Sequence, residues 1–215
     1  MNRIFRYLPV LFCISFASFA HAQSAVDVNV GFGTAHDKAA GTGIDSNTFA
    51  TCATGSSTCL LSPALSGFFM GFGGTIMLTK NYGFGGEASL QPAKQDYSGF
   101  QSRQIFYDFD GVYAPVNEKK VMLRLFGGVG GATTSFSYTS NSCVGNAVCQ
   151  TQSQAVGSSK HFQVHAGAGV QIYLTEHVFI RPQFDLHYVP NFTDQWGSNV
   201  SPGATVWIGY SLGDR

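Results

Sequence analysis

From Val26 onward, apolar side chains recur at every second position in eight separate stretches. Val26, Val28, Val30 and Phe32 alternate with Asp27, Asn29 and Gly31, and Phe72, Ile76 and Leu78 share a face opposite Gly71, Gly73 and Thr75. Phe84, Ala88 and Leu90 oppose Glu87 and Ser89, and Ile105, Tyr107, Phe109 and Tyr113 oppose Asp108 and Asp110. Leu123, Leu125 and Val129 oppose Arg124, Gly128 and Gly130. The longest stretch sets Phe162, Val164, Ala166, Ala168, Val170 and Ile172 against Gln163, His165 and Gln171. Ile180, Phe184, Leu186 and Tyr188 oppose Arg181, Gln183, Asp185 and His187, and Val206, Ile208, Tyr210 and Leu212 oppose Thr205, Gly209 and Ser211. A period of two over this many residues predicts strands.

The apolar face of every stretch is free of charge, while Asp27, Glu87, Asp108, Asp110, Arg124, Arg181 and Asp185 all stand on the other, with His165 and His187. One face therefore meets a medium that rejects charge. A soluble barrel with an apolar interior and a membrane barrel with an apolar exterior both satisfy that condition, and the polar face separates them. It is mostly Gly, Gln, Ser and Thr, and charged residues make up only 11% of the 215-residue chain, against ~25% in soluble domains. A water-facing wall needs more charge than this; a crowded lumen does not. The prediction is an all-β, closed, antiparallel up-and-down transmembrane β-barrel of eight strands, closed because backbone groups in lipid must all be paired. Long links (36–66, 92–103, 139–160, 190–203) alternate with short ones (79–83, 114–120, 174–178), as expected of long external loops and short periplasmic turns.

The N-terminus adds an address. Arg3 and Arg6 precede the uncharged run Leu8–Ala20, followed by the small-x-small site Ala20-His21-Ala22. This is the pattern of a secretory signal peptide over 1–22, cleaved after Ala22, leaving 23–215 as one barrel domain in the cell outer membrane of a Gram-negative envelope. The apolar run is too short for a spanning helix. Four cysteines remain, Cys52 with Cys59 and Cys143 with Cys149, in the two longest links. In an exported chain they read as disulfides, with local pairing expected over the two crossed connectivities; a zinc site fits poorly, since the spacing is wider than C-x2-4-C and no histidine adjoins either pair. Net charge is zero with no Lys/Arg cluster, which argues against nucleic acid as a partner.

Phe106-Tyr107-Asp108-Phe109-Asp110-Gly111-Val112-Tyr113, Phe126-Gly127-Gly128-Val129-Gly130-Gly131 and Ala166-Gly167-Ala168-Gly169-Val170 resemble the middle strands of the small outer-membrane barrels of the OmpA/OmpX and opacity-protein type. The resemblance covers residues 25–213. It implies outer-membrane lipid and the outer-membrane assembly machinery as partners, with an external ligand or host surface met through the loops. Two features depart from it. The chain ends Tyr210-Ser211-Leu212-Gly213-Asp214-Arg215 rather than on an aromatic, and Pro182 interrupts the seventh strand, where a bulge is expected.

No motif for catalysis, cofactor or metal emerges. The glycine clusters lie within strand alternation and open no helix, as a phosphate loop would. His165, Asp185 and His187 share the lumen face but lack the spacing of a hydrolase, and point away from lipid. Phe192 and Trp196, in the last long link, read as a partner contact or an interfacial anchor. Eight strands enclose little more than their own side chains. The expected function is therefore a non-catalytic outer-membrane barrel with a packed polar lumen and disulfide-stapled loops for surface interaction or envelope structure. The alternatives are a narrow, porin-like small-solute channel or lateral transporter, and a lipid-modifying enzyme. Turn positions further predict that Glu87 lies opposite Asp108, that Arg124 lies opposite Asp110 within an acidic cluster, and that Arg181 reaches the cluster from across the lumen.

Overall fold

The computed structural model describes residues 25–37, 65, 67–97, 100–144 and 148–213. Its strands are β1 (Val26–Ala35), β2 (Phe69–Met77), β3 (Tyr82–Leu90), β4 (Gln95–Tyr97), β5 (Phe100–Asn117), β6 (Val121–Val144), β7 (Val148–Tyr173), β8 (Val178–Tyr188) and β9 (Val200–Leu212). A single-turn helix, α1 (Thr193–Trp196), joins the last two. All pairings are antiparallel, and β1 pairs with both β2 and β9, which closes the sheet. β4 pairs with the same edge of β5 that β3 occupies, so β3 and β4 form one stave interrupted at residues 91–94. Nine strands thus make eight staves.

Alternation sorts side chains as the pattern requires. Val28, Phe72, Phe84, Phe109, Val129, Phe162, Phe184 and Ile208, one per stave, are 47–72% exposed on the outer wall. Aromatic pairs stand near both rims of that wall: Tyr82 stacks on Tyr113 at 5.0 Å, and Phe32 on Phe68 at 6.0 Å. Such rings suit the two interfaces of a bilayer.

Three short turns gather at one end. In two of them a threonine hydroxyl holds the bend: Thr79 Oγ1 accepts from the Tyr82 amide and Thr175 Oγ1 from the Val178 amide, both at 3.0 Å. The third, at 118–120, is shorter than the expected 114–120, because β5 continues to Asn117. Ala114 and Pro115 occupy a bulge between Tyr113 and Val116 in the β5–β6 ladder, a place where proline's missing donor costs no hydrogen bond. The bulge expected at Pro182 is not there. The β7–β8 ladder lapses opposite Pro182 and Arg181 and resumes in the same register, so proline removes hydrogen bonds without inserting a residue.

At the other end, the link expected over 139–160 is not a loop. β6 and β7 run on as a two-stranded ribbon to Val144 and Val148. β6 loses its β5 partner beyond Tyr138, and β7 meets β8 only from Val164, so the ribbon extends past its neighbours. Its ladder places Cys143 opposite Cys149. Cys52 and Cys59 lie outside the described residues.

The lumen is layered. Ala35, Leu65, Phe69, Phe106, Ala132, Val189, Phe192 and Trp196 form an apolar plug at the ribbon end. Met77, Val112, Ala114, Met122 and Phe126 form a second plug at the short-turn end. Polar and charged side chains fill the space between them.

Candidate functional site

The layer between the plugs contains all nine ionisable side chains that alternation assigns to the polar face. Asp27, Asp108, Asp110, Arg124, His165, Arg181, Asp185 and His187 are buried, and the Glu87 side chain is 8% exposed. They divide into three groups along the barrel axis.

Nearest the short turns, Arg124 Nη2 on β6 donates to Asp27 Oδ2 on β1, with both side chains buried. Arg124 Nε also approaches Met122 Sδ at 3.1 Å, and Gln171 Nε2 donates to Asp27 Oδ2 at 3.5 Å. Arg124 does not lie opposite Asp110. The bulge at Ala114–Pro115 and the late turn displace the β5–β6 register, so that Asp110 pairs with Gly128. The partner of Arg124 lies across the lumen, 97 residues away in sequence.

In the middle, Arg181 Nη2 on β8 donates to Glu87 Oε1 on β3 at 2.5 Å, which spans the lumen. The guanidinium lies over two rings, 4.9 Å from the centroid of Phe126 and 5.5 Å from that of Trp207. Trp207 fits because Gly31 and Gly71 lie beneath it; a Cβ at either would overlap the indole. Gln183 Nε2 links this group to the next, donating to Glu87 Oε2 at 2.8 Å and to Asp185 Oδ1 at 2.7 Å.

Toward the ribbon end, Asp110, Gly128, His165 and His187 sit side by side across β5, β6, β7 and β8. Gly128 lets Asp110 and His165 meet over β6: His165 Nδ1 lies 3.0 Å from both Asp110 oxygens, and Nε2 lies 3.2 Å from Asp185 Oδ1. Asp108 Oδ1 stands 3.8 Å from His165 Nδ1. Glu87 lies opposite Asp108 in the β3–β5 ladder. The His187 ring stacks between Phe106, at 4.6 Å, and His165, at 5.0 Å. A cavity of about 20 Å³ opens beside this group, lined by Glu87, Asp108, His165, Asp185 and His187.

Residues 8–206 match the family described as the outer membrane protein beta-barrel domain. The chain belongs to that family. It is an integral protein of the cell outer membrane, and its apolar outer wall is the lipid-facing one. Among solved structures it is similar to Ail, the attachment invasion locus protein of Yersinia pestis, at 12% identity over 88% of this chain and 99% of that one, with a TM-score of 0.51. It is also similar to the outer membrane protein OprG from Pseudomonas aeruginosa, at 13% identity over 91% and 99% of the two chains, with a TM-score of 0.50. At these identities the likeness is one of fold. No curated protein sequence matches this chain.

Outer-membrane barrels carry a polar lumen, and alternation locates its ionisable residues. It does not reveal the plugs. Phe192 and Trp196, expected as a partner contact or interfacial anchor, are instead buried in the ribbon-end plug, with Phe192 edge-on to His161 at 5.7 Å. Trp207, Phe106, Phe126 and Phe179 also lie on the polar side of their strands and are buried. The signal that could have located them is present: each falls between two outward positions of its strand, so parity alone sends it inward.

Proposed function

We propose that this barrel is a non-catalytic outer-membrane protein whose lumen is a stabilising core and whose working surface is the ribbon and the loops beside it. The observation that carries the reading is the pair of apolar plugs. An aqueous path along the barrel would have to pass Trp196 and Phe192 at one end and Phe126 and Met122 at the other, with two cross-lumen ion pairs between. Side chains packed in this way favour a sealed barrel over the channel alternative. The enzyme alternative is disfavoured because both nitrogens of His165 are engaged by carboxylates, leaving neither to activate a hydroxyl. The ribbon extends beyond the barrel wall with sequence rich in Ser, Thr, Gln and Asn, suited to polar contact with an external ligand or host surface. Local disulfides, Cys143–Cys149 and Cys52–Cys59, would staple that surface; the Cα register at the ribbon tip supports the first.

Planar-bilayer recording tests the sealed lumen. Purified protein should give a baseline without steady openings, and a reproducible unitary conductance would reinstate the channel. Non-reducing peptide mapping of the same preparation tests processing and stapling together. It should find Gln23 at the N-terminus and links within each cysteine pair; a Cys52–Cys143 peptide would mean that the two external segments are joined to each other.

A further inference from the structure

The three groups of the polar layer are not equally balanced. Asp27 has Arg124 and Glu87 has Arg181, but among the described residues Asp108, Asp110 and Asp185 have the imidazole of His165 as their one shared ion-pair partner. Three carboxyl groups around one imidazole, in a layer closed by apolar plugs, have to be neutralised by a retained proton or by a bound cation, since uncompensated buried charge is costly. Two atoms at the same place also lack a hydrogen bond. His187 Nδ1 and Asp108 Oδ1 are buried and make no hydrogen bond. Both residues line the small cavity, and one ligand atom from each of Asp108, His165 and His187 can be chosen so that all lie within 4.8 Å of one another.

We propose that this cluster is a binding site for one divalent transition ion of the zinc class, held by His165, His187 and Asp108, with Asp110 as fourth ligand. The donor set decides the class. Imidazole with carboxylate suits zinc and its neighbours, whereas magnesium and calcium take oxygen ligands. Asp110 follows from its place, since both its oxygens are 3.0 Å from His165 Nδ1. The ion takes the position of the proton that His165 Nδ1 and Asp110 share, and that proton leaves to solvent. His165 keeps its other N–H on Asp185, the carboxylate–histidine–metal arrangement that orients such ligands. Ligands of a tetrahedral ion at 2.0–2.2 Å stand about 3.3 Å apart. Closing from 4.8 Å requires the side chains of the cluster to draw together around the ion. The ion would tie β5, β7 and β8 together along one side of the lumen. The plugs that seal the layer would make exchange slow, so the ion would enter as the barrel folds.

The test uses untagged full-length mature protein, unfolded with chelator and refolded into detergent with or without Zn2+, then desalted. Elemental analysis should find one zinc per chain in the wild type and a loss of at least tenfold in retention for His187→Ala and for Asp108→Asn. His161→Ala, which alters a histidine outside the cluster, should keep the ion. Gel mobility without boiling reports whether each variant has folded. Co2+ in place of Zn2+ should give the visible bands of a tetrahedral nitrogen–oxygen site with no thiolate charge transfer, and this measurement on wild-type protein decides the matter should a variant not fold. Wild-type protein that retains no ion, variants that retain it undiminished, or thiolate bands assigning the ion to the cysteines would each overturn the site.

Discussion

Arg124 shows how a buried charge is tied into this lumen. Its guanidinium is fully buried, and its hydrogen bond crosses from β6 to Asp27 on β1. Removing one member of such a pair strands the other, which typically costs about 3–5 kcal/mol. Arg124→Met should therefore lower stability by roughly that amount, and adding Asp27→Asn should recover part of the loss. Urea unfolding in lipid vesicles measures the coupling through a double-mutant cycle. The informative control is Asp110→Asn, which stands on the face where a shorter register would have put it beside Arg124. Its effect should add to that of Arg124→Met within ~0.5 kcal/mol, as for residues without a shared partner. Strict additivity of Arg124→Met with Asp27→Asn would sink the pairing. Arg124 also marks where sequence reading stops. Parity along β6 sends it inward from sequence alone, but its partner depends on a bulge at Ala114–Pro115 and on a contact between strands 97 residues apart, and neither leaves a periodic trace.

At the level of strands, the glycine-rich stretch of β6 divides by face. Gly127 points outward, and a Cβ there would meet nothing within 4 Å. Gly128 points inward between Asp110 and His165, and a Cβ there would overlap the Phe109 carbonyl and lie 2.7 Å from Asp110 Cα. Gly127→Ala should therefore change stability by no more than ~0.5 kcal/mol, as for a surface change. Gly128→Ala should cost about 1–3 kcal/mol, the range for an overpacked core. Equal urea midpoints for the two would show that the glycines are interchangeable and that the close approach at Gly128 is not required. Alternation made the strand faces legible because lipid excludes charge from the outward positions of the apolar stretches; Arg103 and Lys160, the outward charges, stand beyond them toward the ribbon end. Strand ends were less legible. The 139–160 link reads as a loop because its Ser, Thr and Gln residues give no apolar alternation, yet β6 and β7 continue through it. A ribbon standing clear of the lipid has no apolar face to display, so the period-two signal disappears while the backbone pairing persists.

For the molecule as a whole, the plugs and the charged layer act in series. Either plug alone should keep the lumen closed to ions, because the apolar side chains packed at each end leave no aqueous path there. Trp196→Ala with Phe192→Ala removes the one tryptophan and one of the three phenylalanines of the ribbon-end plug, both buried. Each truncation of a well-packed aromatic costs about 3–5 kcal/mol in a core that cannot collapse, and α1 rests on these two rings, so the fold should weaken measurably. Conductance should nevertheless stay at baseline, since Phe126, Met122 and the ion pairs still block the short-turn end. Phe126→Ala alone should also stay silent, although it removes one of the two rings that hold Arg181. Combining the three substitutions opens both ends and loosens the Arg181 clamp, and steady openings should then appear in planar bilayers. Openings from either plug variant by itself would show that a single plug forms the barrier; silence in the triple variant, if it runs as a folded barrel on unboiled gels, would place the barrier in the charged layer itself.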